Sequence, residues 1–328
     1  MDDVATWRDL LGKLTSDPQE RQRVAEAVGV KPITITRWVI GKSNPRQDNL
    51  PALLEALPQY REQFAELIAK EFPHFLVEKA LAEEIPREIP SEFYARVLNA
   101  RVTSMPMLRA SLISILILQQ IVSHFDPHQK GLVATAIQCV APGPGKKVRS
   151  LRTTVGRGTP PWERHMEHRT VFLGAESQSG QTLLAGRPII TQNREEIARV
   201  YPTHFGELEG CCATFPILQS DYAAGCLCVT SARENFFTQT HINLLQNYAD
   251  LMVFAFNPED FYNIRDLEFG VMPPRAKQQP VLDTFQQRVT QHMIEASRRG
   301  ETLLRPDAEL IAWREVEEEL LQLSLQQR

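Results

Sequence analysis

The stretch Gln22-Arg23-Val24-Ala25-Glu26-Ala27-Val28-Gly29-Val30-Lys31-Pro32-Ile33-Thr34-Ile35-Thr36-Arg37-Trp38-Val39-Ile40-Gly41-Lys42-Ser43-Asn44-Pro45 decides how the N-terminal region folds. Val24, Ala27 and Val28 recur on one side of a helix that Gly29 ends. Lys31-Pro32 opens a second helix with proline at its first position, and Ile33, Ile35, Trp38 and Val39 carry it to Gly41. Upstream, Trp7, Leu10, Leu11 and Leu14 fall at helical spacing, and Asp17-Pro18 is a helix start. Downstream, Asn49 caps a further helix through Leu50, Leu53, Leu54 and Leu57. Residues 5–70 thus read as short helices with no strand pattern. Six basic residues against one acid between Arg21 and Arg46 give a local charge of +5, in a chain whose formal net charge is −4. A basic patch on an otherwise acidic protein points to a polyanionic partner for this segment alone.

Residues 5–58 resemble the Xre/Cro-type helix-turn-helix family. Val24 and Ala25 match its packing face, Gly29 its tight turn, Ile35 and Trp38 the inner side of its second helix, and Gly41-Lys42-x-x-Pro45 its exit. Val39 departs from the pattern, standing where an acid commonly follows the tryptophan. The resemblance implies that the second helix enters the major groove of double-stranded DNA. Thr34, Thr36 and Arg37 are then the groove residues, Ile33 meets a thymine methyl, and Lys31, Lys42, Ser43 and Arg46 suit phosphates. It also implies a homodimer on a two-fold site.

Beyond residue 70 the pattern changes twice. Pro73, Pro86, Pro90 and Pro106 punctuate a helical connector over 71–106, and 107–125 reads as one helix. Its apolar run, Leu112 to Leu118, is bounded by Arg109 and Gln119-Gln120 and is shorter than the roughly 20 residues a membrane span needs. No membrane partner is expected. Leu108, Leu112, Ile115, Leu116 and Val122 form a wide apolar stripe suited to pairing two chains. Strand-like segments then follow: Val133–Val140, Lys147–Val155 after the turn cluster Ala141–Gly145, Arg187–Thr191, Cys212–Ile217 and Gly225–Thr230. A helix from His241 to Phe256 closes the series. One antiparallel sheet flanked by helices is an α+β arrangement. Residues 257–328 hold two more helical stretches, Val281–Arg299 and Asp307–Leu323. The last has Leu310, Trp313, Leu320 and Leu321 on one side and Glu315, Glu317, Glu318 and Glu319 on the other. The expected protein is multidomain: an all-α head over 1–70, the connector over 71–106, an α+β domain over 107–256 and a helical C-terminal extension over 257–328.

Three pieces of the 109–256 segment resemble the GAF family of small-molecule sensor domains. They are Gly180 to Thr191, Cys211-Cys212-Ala213-Thr214-Phe215-Pro216-Ile217, and Gly225 to Ser231 with the helix that follows. The resemblance implies an effector cavity between the sheet and the loops near Trp162–Ser179 and Tyr201–Gly210. Trp162, His165, His168, Phe172, Tyr201, His204 and Phe205, aromatic or basic side chains, would hold a planar or anionic small molecule there.

The five cysteines are an odd number. Met1 to Lys13 has no apolar core segment, so no secretory leader is expected and the reading is a reducing, cytoplasmic setting. With Gln219–Tyr222 as a hairpin loop, Phe215 faces Cys226 and Ala213 faces Cys228. That register puts Cys211, Cys226 and Cys228 on one sheet face as weak candidates for a redox pair or a soft-metal site, and Cys212 on the other. Buried packing is the commoner fate of such thiols. His124, Asp126 and His128 read as a solvated helix terminus, and Gly143-x-Gly145 as a hairpin turn. The sequence offers no phosphate-binding glycine loop and no nucleophile–base set, so an enzyme is not expected. The expectation is a DNA-binding transcription regulator whose GAF-like domain senses a small molecule or a redox or metal signal. The alternative is a non-enzymatic signalling scaffold with a protein-binding helical head and a ligand-free dimerisation domain.

Overall fold

The computed structural model describes residues 6–46, 49–57, 60–71, 88–166 and 170–326, and divides into two units, Met1–Ile85 and Pro86–Arg328. In the first unit, α1 (Trp7–Leu14) starts where Thr6 and Asp9 cap each other reciprocally. Helix α2 (Pro18–Val28) is capped by the Asp17 carboxylate and closed by Gly29 at φ 74°, a left-handed turn that glycine adopts without steric cost. Then come α3 (Pro32–Val39), α4 (Asn49–Glu55) and α5 (Arg61–Glu71). Trp7, Leu11, Ile35, Trp38, Leu50, Leu53 and Phe64 form one core. Ala25, rather than Ala27, takes the buried place on α2. The Trp7 indole donates to Glu71 at 2.6 Å, and the Arg8 guanidinium pairs with the same carboxylate while reaching Asn44 at 2.7 Å. Arg8 therefore holds the Glu71 carboxyl below its ordinary value and ties the first helix to the last.

The second unit begins with α6 (Ser91–Thr103) and α7 (Pro106–Phe125), followed by β1 (Leu132–Cys139), β2 (Leu151–Gly158) and β3 (Phe172–Leu173). Helix α8 (Gln178–Ala185), β4 (Ile189–Thr191) and α9 (Arg194–Val200) lead to the hairpin of β5 (Cys211–Gln219) and β6 (Tyr222–Ser231). After α10 (Gln239–Met252) and β7 (Tyr262–Asn263) the chain ends in α11 (Arg275–Leu282), α12 (Phe285–Arg298) and α13 (Arg305–Leu325). The antiparallel sheet runs β3-β2-β1-β6-β5-β4, with β7 on the start of β6. Strands β1, β5 and β6 are buried on both faces. Helix α7 covers β1 and β2, and α10 covers β5.

Helix α7 is long and apolar enough, at a mean hydropathy of 1.4, to cross a membrane by length and composition. Its Ile113, Ile117, Leu118 and Ile121 are fully buried in this fold, whereas Leu108 and Leu112 stay about half exposed. The stripe expected for pairing is thus the side of α7 turned away from its own core.

The end of α7 corrects the solvated-terminus expectation. His124 and Asp126 are buried, and only His128 is exposed. The His124 ring bonds Tyr248 on α10 at 2.6 Å and Gln120 at 2.6 Å. Asp126 accepts from the backbone N–H groups of Lys130 and Gly131 and from Thr159 at 2.5 Å. A carboxylate with three donors is satisfied without solvent.

The C-terminal helices pack onto the β1–β3 side of the unit. Phe285 stacks on Trp313 at 3.6 Å, and Ala308, Ala312, Val316 and Leu320 bury one face of α13. Glu317 breaks the expected polar stripe. It is 3% exposed, accepts from Ser150 at 2.5 Å and pairs with Arg149 at 3.2 Å.

Candidate functional site

Helix α3 presents a polar and basic outer face because Ile35 and Trp38 occupy its inner one. Lys31 sits at its N-cap and is exposed, as are Arg37 and, beyond Gly41, Lys42 and Arg46. Ile33 is 54% exposed, an apolar side chain on the same outer face. Thr34, Thr36 and Ser43 are half-buried, and the Thr36 hydroxyl donates back to the Pro32 carbonyl at 3.3 Å. The structure thus places the sequence-derived DNA residues on or beside one short helix.

In the second unit a cavity of about 400 Å³ opens between the sheet and its covering loops. Val133, Thr135, Ile137, Cys212, Cys228 and Thr230 form its floor from β1, β5 and β6. Ser177, Gln178 and Ser179 at the start of α8 form one wall, and Tyr201 with Thr203 to Glu209 forms another. Trp162, Met166, Val171 and Leu173 close the far side.

Of the residues expected there, Trp162, Tyr201, His204 and Phe205 line the cavity. His168 lies outside the described residues. His165 is exposed, forms a bridge with Arg157, and is not in the lining. Phe172 is a correction. Strand alternation turns it away from the cavity, and it is fully buried beside Trp313 at 5.8 Å. The Gln278 side chain clamps it there, accepting from its N–H and donating to its carbonyl, each at 2.8 Å. Its neighbours Val171 and Leu173 face the cavity instead.

Several polar groups were not legible as site residues. Glu209 reaches the lining from its loop, and burial pushes its carboxyl up to about 7. Arg275, from the start of α11, reaches the cavity wall from some 70 residues beyond the loops, and nothing in the sequence signals that. Glu176 holds the His204 ring at 2.6 Å and accepts from the Met272 N–H at 2.8 Å. It thereby links the cavity loop to the segment leading into the C-terminal helices.

The cysteine faces are a second correction. Thr214 pairs with Cys228 and Cys212 with Thr230, because the β5–β6 register shifts between Ile217 and Leu218. Cys212, Cys226 and Cys228 therefore share the cavity face, and Cys211 points to the opposite one. The three proposed partners Cys211, Cys226 and Cys228 do not converge. Among the described residues no group of three or more His, Cys, Asp or Glu side chains is arranged to hold a metal ion. All five thiols are free. The Cys212 and Cys228 sulfurs lie 3.5 Å apart. Donation from Cys212 and from the Thr214 hydroxyl holds the Cys228 thiol below its ordinary value, and the same contact with burial raises Cys212.

Comparison with known proteins agrees with both halves. A helix-turn-helix profile matches residues 19–63, and a GAF domain profile matches residues 145–257. None of the curated proteins matches the sequence. Among solved structures, the GAF domain of an Acinetobacter phosphoenolpyruvate-protein phosphotransferase is similar at 14% identity and a TM-score of 0.36, covering 50% of this chain and 90% of that one. A type II free methionine-R-sulfoxide reductase from Thermoplasma acidophilum is similar at 11% identity and a TM-score of 0.34, covering 46% of this chain and 94% of that one. Such distant likenesses carry no weight for function. With its helical head and its curled antiparallel sheet, this chain joins an Xre-like helix-turn-helix domain to a GAF domain.

Proposed function

We propose that this protein is a non-enzymatic transcription regulator that binds double-stranded DNA as a homodimer and is tuned by a small molecule held in its GAF domain. The observation that carries the reading is the outer face of α3. Arg37 and Ile33 stand exposed on it, with Lys31, Lys42 and Arg46 around them, on a core that fixes the helix through Ile35 and Trp38. A basic, preorganised helix of this kind suits base edges and phosphates together. The cavity supplies the signal side of the proposal. Its aromatic walls, with Arg275 and His204 at hand, suit a planar molecule carrying an anionic group. Pairing is assigned to α7, whose Leu108 and Leu112 are about half exposed alongside Met105 and Met107.

A mobility-shift titration of the full chain against selected duplexes, repeated across salt concentrations, tests the reading. Affinity for duplex DNA should fall steeply as salt rises, since each neutralised phosphate releases condensed counterions. Binding that ignores salt, or no duplex binding beside capture of protein partners by residues 1–70, would favour the scaffold alternative and overturn the regulator reading.

A further inference from the structure

Two cavity-floor thiols have a geometry of their own. Cys212 and Cys228 lie diagonally across the β5–β6 ladder, each directly opposite a threonine. Diagonal neighbours on antiparallel strands sit about 7–8 Å apart. A disulfide normally needs Cα atoms within about 4.4–6.8 Å. The ladder therefore favours keeping the two sulfurs as separate thiols, 3.5 Å apart, in contact with a cavity. That spacing is a bite for one bridging atom, since two bonds to sulfur of about 2.3 Å span it at a bond angle near 100°. Thiolates select soft centres over hard ones. A four-coordinate zinc does not fit, because no third or fourth His, Cys, Asp or Glu ligand joins the pair among the described residues.

Threonine hydroxyls flank both sulfurs. Thr214 and Thr230 aim their hydroxyls at Cys228 and Cys212, at 3.7 and 3.5 Å. Gln178 donates to the Thr214 oxygen at 3.2 Å, which leaves the Thr214 proton for the Cys228 sulfur. Gln178 is itself fixed by donating to the Ile189 carbonyl at 2.9 Å and accepting from Thr191 at 3.0 Å.

We propose that Cys212 and Cys228 form a two-sulfur chelate for a single soft, thiophilic centre, a trivalent arsenical, captured inside the GAF cavity. This rests on the reading of that cavity as the signal site and not on the DNA reading. With an arsonous acid, R–As(OH)2, two As–S bonds form and two As–O bonds break. The two thiol protons leave with the two hydroxides as two waters, and no atom changes oxidation state.

The test uses the reduced full chain and one probe, phenylarsine oxide. Intact mass spectrometry should show one phenylarsenic group per chain, and the thiols titratable in denaturant should fall from five to three. Alkylation mapping of the same wild-type protein should show the Cys212 and Cys228 peptides protected, which needs no variant to fold. C212S and C228S should each weaken retention by at least about 100-fold, because one sulfur lacks the chelate gain, while C211S, on the opposite face, should retain it. No adduct with phenylarsine oxide, an adduct that both single variants keep, or protection at other cysteines would overturn the proposal. DNA affinity of the untreated protein is measured alongside. Its absence would sink the regulator reading while leaving the adduct result standing.

Discussion

Replacing His241 with asparagine should remove a large, pH-dependent part of the second unit's stability. His241 is 1% exposed at the start of α10, between Phe236 and Phe125. Its Nδ1 lies 2.8 Å from the Phe236 carbonyl, which only accepts, so Nδ1 carries the proton. The Nε2 atom meets no hydrogen-bond partner among the described residues. A second proton on the ring would thus be a buried, uncompensated charge, with Arg233 adding repulsion. Burial accordingly pushes the imidazole down from 6.5 to about 4. Below about pH 6.5 the unfolded chain takes up a proton that the folded chain refuses until about pH 4. Stability contributed by the neutral ring is therefore present above pH 6.5 and lost as pH falls, by about 3 kcal/mol over that interval. His124, also pushed down by burial, acts in the same direction. Glu209 works against both, because a carboxyl raised to about 7 makes the folded state bind a proton that the unfolded chain refuses at the same pH. The raw pH profile is consequently flattened, and the diagnostic quantity is the difference between wild type and H241N. Asparagine keeps the donor to Phe236 and has no titrating ring. Urea unfolding of the full chain between pH 7 and pH 4, followed by hydrogen exchange of the α10 amides, isolates this unit from the helical head. The wild-type advantage should shrink by about 3 kcal/mol from pH 7 to pH 4. An advantage that stays constant across that range would refute the reasoning.

Three further outcomes are expected. R37A should weaken specific DNA binding by about 1–3 kcal/mol without changing helical content, measured by mobility shift and circular dichroism, and unaltered affinity would remove Arg37 from the groove. I115E, on the outward side of α7, should give monomers in light scattering where the wild type gives dimers, and a wild-type monomer at micromolar concentration would end the pairing proposal. E317A should destabilise the second unit by about 1–3 kcal/mol, because Ser150 and Arg149 lose a buried acceptor, whereas E317Q keeps an acceptor for Ser150 and should cost less. Equal melting temperatures for wild type and E317A would show that the Glu317 contacts with Ser150 and Arg149 add nothing to that unit's stability.

What the sequence made legible follows from how local each signal is. The helical head was readable because a glycine turn, a proline start and an apolar face all lie within about 25 consecutive residues, and neighbours along the chain fix them. The strands were readable as apolar runs for the same reason. The faces of the strands were not. A loop of Ser220 and Asp221 with Gln219 opposite Tyr222 gives the register the sequence suggested, and the first two pairs obey it. Ala224 then drops out of the ladder, Ile217 pairs with Gly225, and every later partner moves by one residue. Gly225 permits this because a Cβ there would lie 1.9 Å from the Ile137 carbonyl oxygen on β1, a demand set by a strand nearly 90 residues away. One bulge thus moved Cys228 from the company of Cys211 to that of Cys212. Phe172 failed for a related reason: an aromatic residue on a two-residue strand shows no period, and its face was decided by Gln278 and Trp313 in helices far along the chain. Glu317 reads as one of a solvated acidic run until Arg149 and Ser150 arrive against it from the sheet. In each case the missing information was a contact between distant segments. That is why the fold could be read residue by residue while the floor of its cavity could not.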